Sequence, residues 1–348
     1  MRTPIIMAAL GLTLLGFMGV SINHVKELSF MNQSKLAPGT VENILSLPEG
    51  NSPEGVALDR QGNIYVGNRI FEGTNQIPEI IKITPSGTVS ILAVLPVTEN
   101  PEANSLLGLA TDAQGSVYAA MQSVDAAHGV WKIGVDGSAQ LLPGSNQIVF
   151  PNALVFDPHG NLYVTDSASG SLWRMDRAGH WTEWVQDPLL EPPSEPVLGL
   201  TIPGANGIAF YPPNTLFVAN TLKGLIAKVS ILSDGSAGPV ELVADDALLL
   251  TVDGIAVDKN GDIHGVIPGY ALLDTYPLVR VDPSTGSVEP SVVAESEIAK
   301  FDFPLSIAFG HGQRDNQSVY ITNGDFEELL PGGPGAGLVR AVPLPPGE

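Results

Sequence analysis

Four residues with oxygen-bearing side chains stand at one position of a sequence unit that recurs along the chain. They are Glu54, Asn152, Asn206 and Asp253, and leucine takes the position in two further copies, as Leu107 and Leu305. Carboxylate and amide oxygens are the ligands that hard divalent cations prefer, and Ca²⁺ accepts six to eight of them in flexible geometry. If the fold brings the four side chains together, we expect a Ca²⁺ site, with Mg²⁺, Mn²⁺ or Zn²⁺ as alternatives.

The two carboxylates, Glu54 and Asp253, require such an ion more than the amides do. Two buried anions side by side repel each other, and a cation between them relieves the repulsion. Four protein ligands would leave positions for water or substrate, so the ion would be open to chemistry. The competing interpretation is that the four side chains hydrogen-bond neighbouring loops or channel water.

The repeat that carries these residues has a period close to fifty. Successive copies of the position are separated by 53, 45, 54, 47 and 52 residues. This period is too long for helical solenoids and suits a four-stranded propeller blade. Within a copy, an apolar strand runs into a turn opened by Asp and closed by Gly, such as Asp59–Gly62, which is typical of a hairpin. The sequence therefore predicts an all-β, six-bladed β-propeller with four strands per blade. The alternative is a β-sandwich in which the six similar segments arise by chance.

The two ends of the repeat array complement each other. The sixth copy has three strands and ends near Val342, whereas an unassigned strand over residues 41–47 precedes the first copy. We expect this N-terminal strand to complete the last blade, because ring closure removes an exposed sheet edge. The first strand of each blade lines the central channel, so the four polar residues should converge at one mouth.

The residues before the propeller resemble an export signal. Arg2 precedes an uncharged apolar run over residues 5–20, which fits a signal peptide over residues 1–21 and is slightly short for a membrane span. We expect a linker over residues 22–40 and the propeller over residues 41–348. The protein is thus expected to be secreted, periplasmic or extracellular, and a membrane anchor through residues 5–20 is the alternative.

Composition narrows the classes of partner. The formal net charge of −21 disfavours nucleic acid and anionic membranes, because both attract basic surfaces. The sequence contains no cysteine, which excludes disulfides, thiolate catalysis and Cys-ligated zinc. A small-molecule substrate is the expected partner, and the sequence predicts no oligomeric state.

Several short motifs resemble one known family of propellers. They are Pro53-Glu54-Gly55, Pro151-Asn152-Ala153, Asn206-Gly207-Ile208, Asp253-Gly254 and the stretch Asp157–Ser167. They resemble the SMP-30/gluconolactonase/luciferin-regenerating group of six-bladed propellers, to which diisopropylfluorophosphatase is related. The resemblance implies that Glu54, Asn152, Asn206 and Asp253 bind Ca²⁺. It also implies that Asp253 is the catalytic carboxylate, as general base or nucleophile.

One departure from the family's pattern concerns the substrate. Many sugar lactonases of the family carry an Arg-x-Asn-Asp motif whose arginine binds the substrate. In this chain the residues before Asn152, Gln147–Pro151, contain no arginine. We therefore expect a metal-dependent hydrolase of a less polar lactone, ester or phosphoester. The alternatives are a non-catalytic, secreted ligand-binding propeller with a structural ion, and a strictosidine-synthase-like condensing enzyme, for which the chain has no matching motif.

Three further residues are candidates for roles near the ion. His128 is the one histidine expected on a loop of the metal face, where it could transfer a proton or simply be solvated. Asp166 and Asn220 end second strands near the same mouth. They could support the metal ligands or contact the substrate, and capping of the strand ends is the alternative.

Overall fold

The computed structural model describes residues 36–72, 75–96, 104–291, 293–310, 315, 317–325 and 335–343. The expectations for the leader over residues 1–21, and for most of the linker, fall outside these ranges. Within them the chain is almost entirely β-strand, with short 3₁₀ helices at Ser145–Gln147, Ala247–Leu249, Pro268–Ala271 and Glu295–Lys300. No helix in the described ranges is long and apolar enough to cross a membrane.

The strands form six antiparallel sheets of four strands each, and five of the sheets are built from consecutive strands. After an N-terminal strand β1 (Val41–Ser46), blade one contains β2 (Asn51–Leu58), β3 (Ile64–Glu72), β4 (Asn75–Ile83) and β5 (Val89–Val94). Blade two contains β6 (Ser105–Thr111), β7 (Val117–Gln122), β8 (Gly129–Ile133) and β9 (Ala139–Leu141). Blade three contains β10 (Pro151–Phe156), β11 (Leu162–Asp166), β12 (Ser171–Met175) and β13 (Trp181–Gln186). Blade four contains β14 (Ala205–Tyr211), β15 (Thr215–Asn220), β16 (Leu225–Ile231) and β17 (Ala237–Asp245), and blade five contains β18 (Ile255–Val257), β19 (Ile263–Val266), β20 (Leu278–Val281) and β21 (Val288–Pro290).

The sixth blade joins the two ends of the described chain. It contains β22 (Pro304–Phe309), β23 (Val319–Asn323) and β24 (Gly337–Ala341), with β1 as its outermost strand. β1 pairs antiparallel with β24, from Val41 opposite Ala341 to Ser46 opposite Gly337. The predicted six-bladed propeller, four strands per blade and closed by an N-terminal strand, is confirmed.

The first strands of the blades form the inner ring. β2, β6, β10, β14, β18 and β22 each contact the next, and β22 contacts β2. Apolar side chains fill the space between facing blades, as where Tyr65 and Ile80 of blade one pack with Leu106 and Met121 of blade two. Burial of one such side chain contributes roughly 1.5–3 kcal/mol. This packing fixes the inner strands rigidly around the channel.

An aspartate organises the turn that follows the first strand of blade one. Asp59 Oδ1 accepts hydrogen bonds from the backbone N–H groups of Gln61 and Asn63, each at 2.9 Å. Its Oδ2 accepts from Asn63 Nδ2 at 2.7 Å and from the Tyr65 hydroxyl at 2.9 Å. Burial works to raise the pKa of Asp59, but these hydrogen bonds outweigh burial and lower it. The predicted turn therefore depends on an ionised carboxylate.

Replacing Asp59 by alanine should lower the free energy of unfolding by about 2 kcal/mol at neutral pH, because buried donors lose their acceptor. A lowered folded-state pKa gives stability that is present above the unfolded pKa and is lost as pH falls through the folded pKa. The difference from wild type should therefore shrink on acidification, as measured by urea denaturation. Asp234, whose Oδ1 accepts only from Ser236 in an exposed turn, is the control. An equal loss in Asp234→Ala would contradict the special role of Asp59.

Candidate active site at the channel mouth

The residues at the repeated position lie where the pairing of the inner strands is interrupted. We call Glu54, Leu107, Asn152, Asn206, Asp253 and Leu305 the ring. The register of the first and second strands shifts between Pro53 and Val56, Leu106 and Leu109, Pro151 and Leu154, Ala205 and Ile208, and Pro304 and Ile307. In blade five, the regular ladder begins at Ile255, and the Asp253 N–H donates to the carbonyl oxygen of Val266 at 3.0 Å just before it. β-Bulges re-aim side chains and are frequent beside active sites. The ring residues thus leave the regular in–out alternation of their strands.

Glycine beside the ring residues lets neighbouring inner strands approach closely. A Cβ on Gly108 would lie 2.5 Å from the carbonyl oxygen of Asn152 in the next blade. A Cβ on Gly207 would overlap the carbonyl oxygen of Asp253 in the same way. Any side chain at these positions would push the blades apart, so glycine keeps consecutive ring residues adjacent.

The two asparagines of the ring are oriented by hydroxyl groups of their own blades. Asn152 Nδ2 donates to Ser167 Oγ at 3.1 Å, and Asn206 Nδ2 donates to Thr221 Oγ1 at 2.9 Å. Both asparagines are at least nine-tenths buried. Because the nitrogen of each amide is committed to a hydroxyl, the amide oxygen is the atom left to act as a ligand.

Glu54 has a charged partner of its own. Arg69 Nη2 lies 3.1 Å from Glu54 Oε2, and the two side chains are 10% and 13% exposed. The guanidinium is also held by Ser52, through Nε to the carbonyl oxygen at 3.4 Å and Nη2 to Oγ at 3.1 Å. One carboxylate of the ring is therefore already part of a largely buried ion pair.

Asp253 is the electrostatically most perturbed residue of the site. Burial, followed by the negative charge of Glu54, raises the pKa of Asp253 well above its usual range. A hydrogen bond with Asn206 and the charge of Arg69 oppose this rise only in part. Burial likewise raises the pKa of Glu54, against the opposing charge of Arg69. The two carboxylates are close enough to resist simultaneous ionisation.

The donor set of the ring fits a hard divalent cation. It offers two carboxylates and two amide oxygens on rigid strands, and the carboxylates still repel each other in the presence of Arg69. Within the described ranges, no cluster of three or more His, Cys, Asp or Glu side chains is placed to hold a metal, so an ion at the ring would depend on the two amide oxygens as well as the two carboxylates. Along the inner strands lies a cavity of about 350 Å³, lined mainly by apolar residues such as Val56, Leu109 and Ile255.

His128, Asp166 and Asn220 all hold loops in place around the mouth. His128 Nε2 bonds the carbonyl oxygen of Ile148 at 2.6 Å, and its Nδ1 accepts from the backbone N–H of Ser123 at 3.3 Å. Four backbone N–H groups, of Val149, Phe150, Ala168 and Ser169, donate to the fully buried Asp166 carboxylate. Asn220 Nδ2 donates to the carbonyl oxygens of Leu189 and Glu191, in the loop that enters blade four. The contacts of Asp166 and Asn220 are those of the capping alternative, whereas both ring nitrogens of His128 bond the backbone rather than solvent alone.

Solved structures of several propellers resemble this chain over most of its length. Luciferin-regenerating enzyme superimposes with a TM-score of 0.61 at 14% identity, covering 88% of this chain and 96% of the other. A gluconolactonase from Xanthomonas campestris gives 0.58 at 20% identity, covering 85% and 87%. Regucalcin from Agrobacterium tumefaciens, a calcium-binding protein, gives 0.56 at 16% identity, covering 83% and 88%. The chain has the fold of the luciferin-regenerating enzyme and gluconolactonase propellers.

The resemblance to the SMP-30/gluconolactonase/luciferin-regenerating group is thereby confirmed as a likeness of fold. A family model described as strictosidine synthase-like, N-terminal, matches residues 43–70, a stretch that includes Glu54 and Arg69. The expectation that the chain has no strictosidine-synthase-like motif is wrong, because this short stretch carries one. No relative is found among curated proteins.

Within this propeller fold, the sequence analysis missed three residues that contact the ring. Arg69, Ser167 and Thr221 each directly follow a polar residue of a second strand, namely Asn68, Asp166 and Asn220. Each contacts the ring residue of its own blade. Aligning the repeats by their second strands places these three residues at one equivalent position. That alignment could have identified them from the sequence.

Proposed function

We propose that the protein is a metal-dependent hydrolase, with Ca²⁺ as the preferred ion and a lactone, ester or phosphoester as the substrate. The observation that carries the proposal is the contact of Asp253 with its ring neighbours: it hydrogen-bonds Asn206 and lies within range of the Glu54 charge, and burial and Glu54 raise its pKa. Structural carboxylates at propeller turns, such as Asp59, show the opposite shift. A perturbed carboxylate in a cleft is a mark of functional sites.

The chain's own residues divide into ligands and a reactive group. Glu54, Asn152 and Asn206 would hold the ion together with Asp253, which supplies the carboxylate for chemistry. The ion, when bound, polarises the carbonyl or phosphoryl oxygen of the substrate, which is worth several kcal/mol of transition-state stabilisation. Asp253 either takes a proton from the attacking water or attacks the substrate itself. Single turnover in ¹⁸O-water separates these roles, because only nucleophilic attack leaves the label in the Asp253 carboxylate.

Apolar side chains around the mouth support a substrate of low polarity. The loops on the side of the propeller where the ring lies are those that enter first strands and those that join second to third strands. Their exposed large apolar side chains include Val124, Val149, Leu198, Leu200, Leu272 and Tyr276. A polyhydroxylated sugar would find few polar partners among them. The absence of arginine from Gln147–Pro151 agrees with this preference.

A panel of lactones, aryl esters and phosphotriesters, assayed with and without Ca²⁺, tests the function. We expect Ca²⁺-dependent turnover, fastest for apolar members. The alternative of a non-catalytic binding propeller predicts that chelation lowers the melting temperature while no member of the panel is hydrolysed. Turnover that is unaffected by chelation would contradict the metal-dependent mechanism.

A pair of valines on opposite faces tests the apolar mouth. Val149 is 60% exposed next to the ring, and Val135 is 62% exposed in the β8–β9 turn of the far face. Val149→Ser should raise KM for an apolar ester roughly fivefold, because a partly buried valine contact is worth about 1 kcal/mol. Val135→Ser should leave KM unchanged. Equal KM values in the two variants would exclude Val149 from the binding surface.

A further inference from the structure

Arg69 stands where blades three and four place a small hydroxyl residue. It pairs with Ser52 across β2 and β3, one position beyond the pairing of Pro53 with Asn68. In blades three and four, the residues one position beyond Asp166 and Asn220 are Ser167 and Thr221, which bind Asn152 and Asn206. Blades one, three and four thus each provide an orienting side chain for their ring residue, and blade one uses a cation for that purpose.

The guanidinium is fixed rather than free to swing. Arg69 is 8% exposed, and its Nε and Nη2 are engaged by Ser52 and Glu54. The neighbouring Asn68 is fully buried and donates to Asn51 Oδ1 at 2.7 Å and to Glu79 Oε1 at 2.9 Å. These contacts anchor the middle of β3, so the positive charge stays beside the ring.

Charge then determines how the ring responds to an ion. Glu54 and Asp253 carry two negative charges when ionised, and Arg69 offsets one of them. A divalent cation at the ring must share Glu54 with the Arg69 guanidinium, and the guanidinium repels the cation. Burial makes this repulsion stronger than it would be in water. We propose that Arg69 is a resident counter-cation of the ring, which weakens divalent-cation binding and keeps the ring assembled when no ion is bound. This inference rests on the proposed metal role of the ring. It adds Arg69 as a residue that sets the affinity of the ring for Ca²⁺.

The alternative is that Arg69 serves the fold alone, as a buried ion pair elsewhere in the protein does. Arg340 Nη2 lies 3.1 Å from Glu42 Oε2, with side chains 12% and 11% exposed, in the outer part of blade six. Distance and exposure match those of the Arg69–Glu54 pair. Arg340→Met is therefore a control that removes a similar ion pair away from the ring, together with a longer contact of 3.8 Å from Arg340 Nη1 to Asp315 Oδ1.

The test compares Ca²⁺ binding by isothermal titration calorimetry in wild type, Arg69→Met, Arg69→Lys and Arg340→Met, with melting temperatures in EDTA and in Ca²⁺. Arg69→Met should bind Ca²⁺ at least tenfold more tightly than wild type, melt at a lower temperature in EDTA, and show a larger rise with Ca²⁺. Arg69→Lys, which keeps the charge, should stay within about threefold of wild-type affinity. Arg340→Met should lose stability with unchanged affinity.

Two results would overturn the inference. If wild type binds Ca²⁺ and Arg69→Met binds no more tightly, the counter-cation role is wrong and the metal site stands. If neither protein binds Ca²⁺, the metal site and the counter-cation role fail together. Where Arg69→Met is unfolded in EDTA, Ca²⁺ must restore the fold, and a variant that stays unfolded in saturating Ca²⁺ contradicts the role. Because this test measures only Ca²⁺ binding and melting temperature, a failure to find a hydrolysed substrate would count against the proposed hydrolase and not against the role of Arg69.

Discussion

Replacing Asp253 by asparagine should lower kcat/KM by roughly 10³-fold or more while the propeller stays folded. Asparagine has nearly the same shape and keeps an oxygen for the ion, but it cannot accept a proton or attack the substrate at neutral pH. The raised pKa of Asp253 makes its carboxylate a stronger base than an exposed aspartate, so the substitution removes the group best suited to activate water.

The same substitution should not destabilise the metal-free protein. Glu54 and Asp253 repel each other when both are ionised, and asparagine removes that repulsion. We therefore expect Asp253→Asn to melt in EDTA at the wild-type temperature or above it, which separates loss of chemistry from loss of fold.

Asp258, at the other end of β18, is the control. Its Oδ1 accepts from the backbone N–H groups of Asn260 at 2.8 Å and Asp262 at 3.0 Å, far from the ring. Asp258→Asn should lower the melting temperature and change kcat/KM by only a few-fold. Full activity of Asp253→Asn would refute the role of Asp253 in catalysis.

Removal of the metal should abolish turnover and lower the melting temperature, and both should return on addition of Ca²⁺. A ligand present at 100 times its Kd stabilises the folded state by about 2.7 kcal/mol. Mg²⁺ should restore less of either property, because it demands near-ideal octahedral geometry and the ring places four side chains on rigid strands. A melting temperature indifferent to both EDTA and Ca²⁺ would contradict an ion at the ring.

The stability of the metal-free protein should also depend on pH in a defined direction. A carboxyl group whose folded-state pKa is raised binds protons more tightly in the folded state, so its stabilising effect is present at low pH and is lost as pH rises through the folded pKa. For Asp253 this loss starts above its ordinary value of 3.8. The rise in melting temperature produced by Ca²⁺ should accordingly be larger at neutral than at acidic pH, and Asp253→Asn should flatten this dependence.

Asn206→Leu tests the ligand set at the cost of one buried hydrogen bond, to Thr221. Leu107 and Leu305 already occupy ring positions, so a leucine fits there, while it supplies no oxygen. The affinity for Ca²⁺ should fall at least tenfold. Asn214→Leu, in the exposed turn between β14 and β15, is the matched control and should bind Ca²⁺ as wild type does.

The sequence was sufficient to predict the architecture of this protein because the repeated signals are local. Turn aspartates such as Asp59 bind backbone N–H groups two and four residues away, and the alternation of the strands requires no distant partner. Closure by β1 also followed from counting strands, because the sixth repeat had only three strands and the strand before the first repeat belonged to no blade. The ring column came from the same periodicity, because equivalent positions of a propeller meet at one mouth.

The tertiary structure alone decided how the ring residues are oriented and charged. The interrupted pairing near Glu54, the ion pair with Arg69 and the hydroxyls behind Asn152 and Asn206 join residues 10 to 15 positions apart. Asp166 and Asn220 ended strands as the sequence indicated, yet which backbone groups they bind depends on how the loops fold over the mouth. A linear pattern records which residues recur, whereas contacts between strands and loops determine which atoms they present to a ligand.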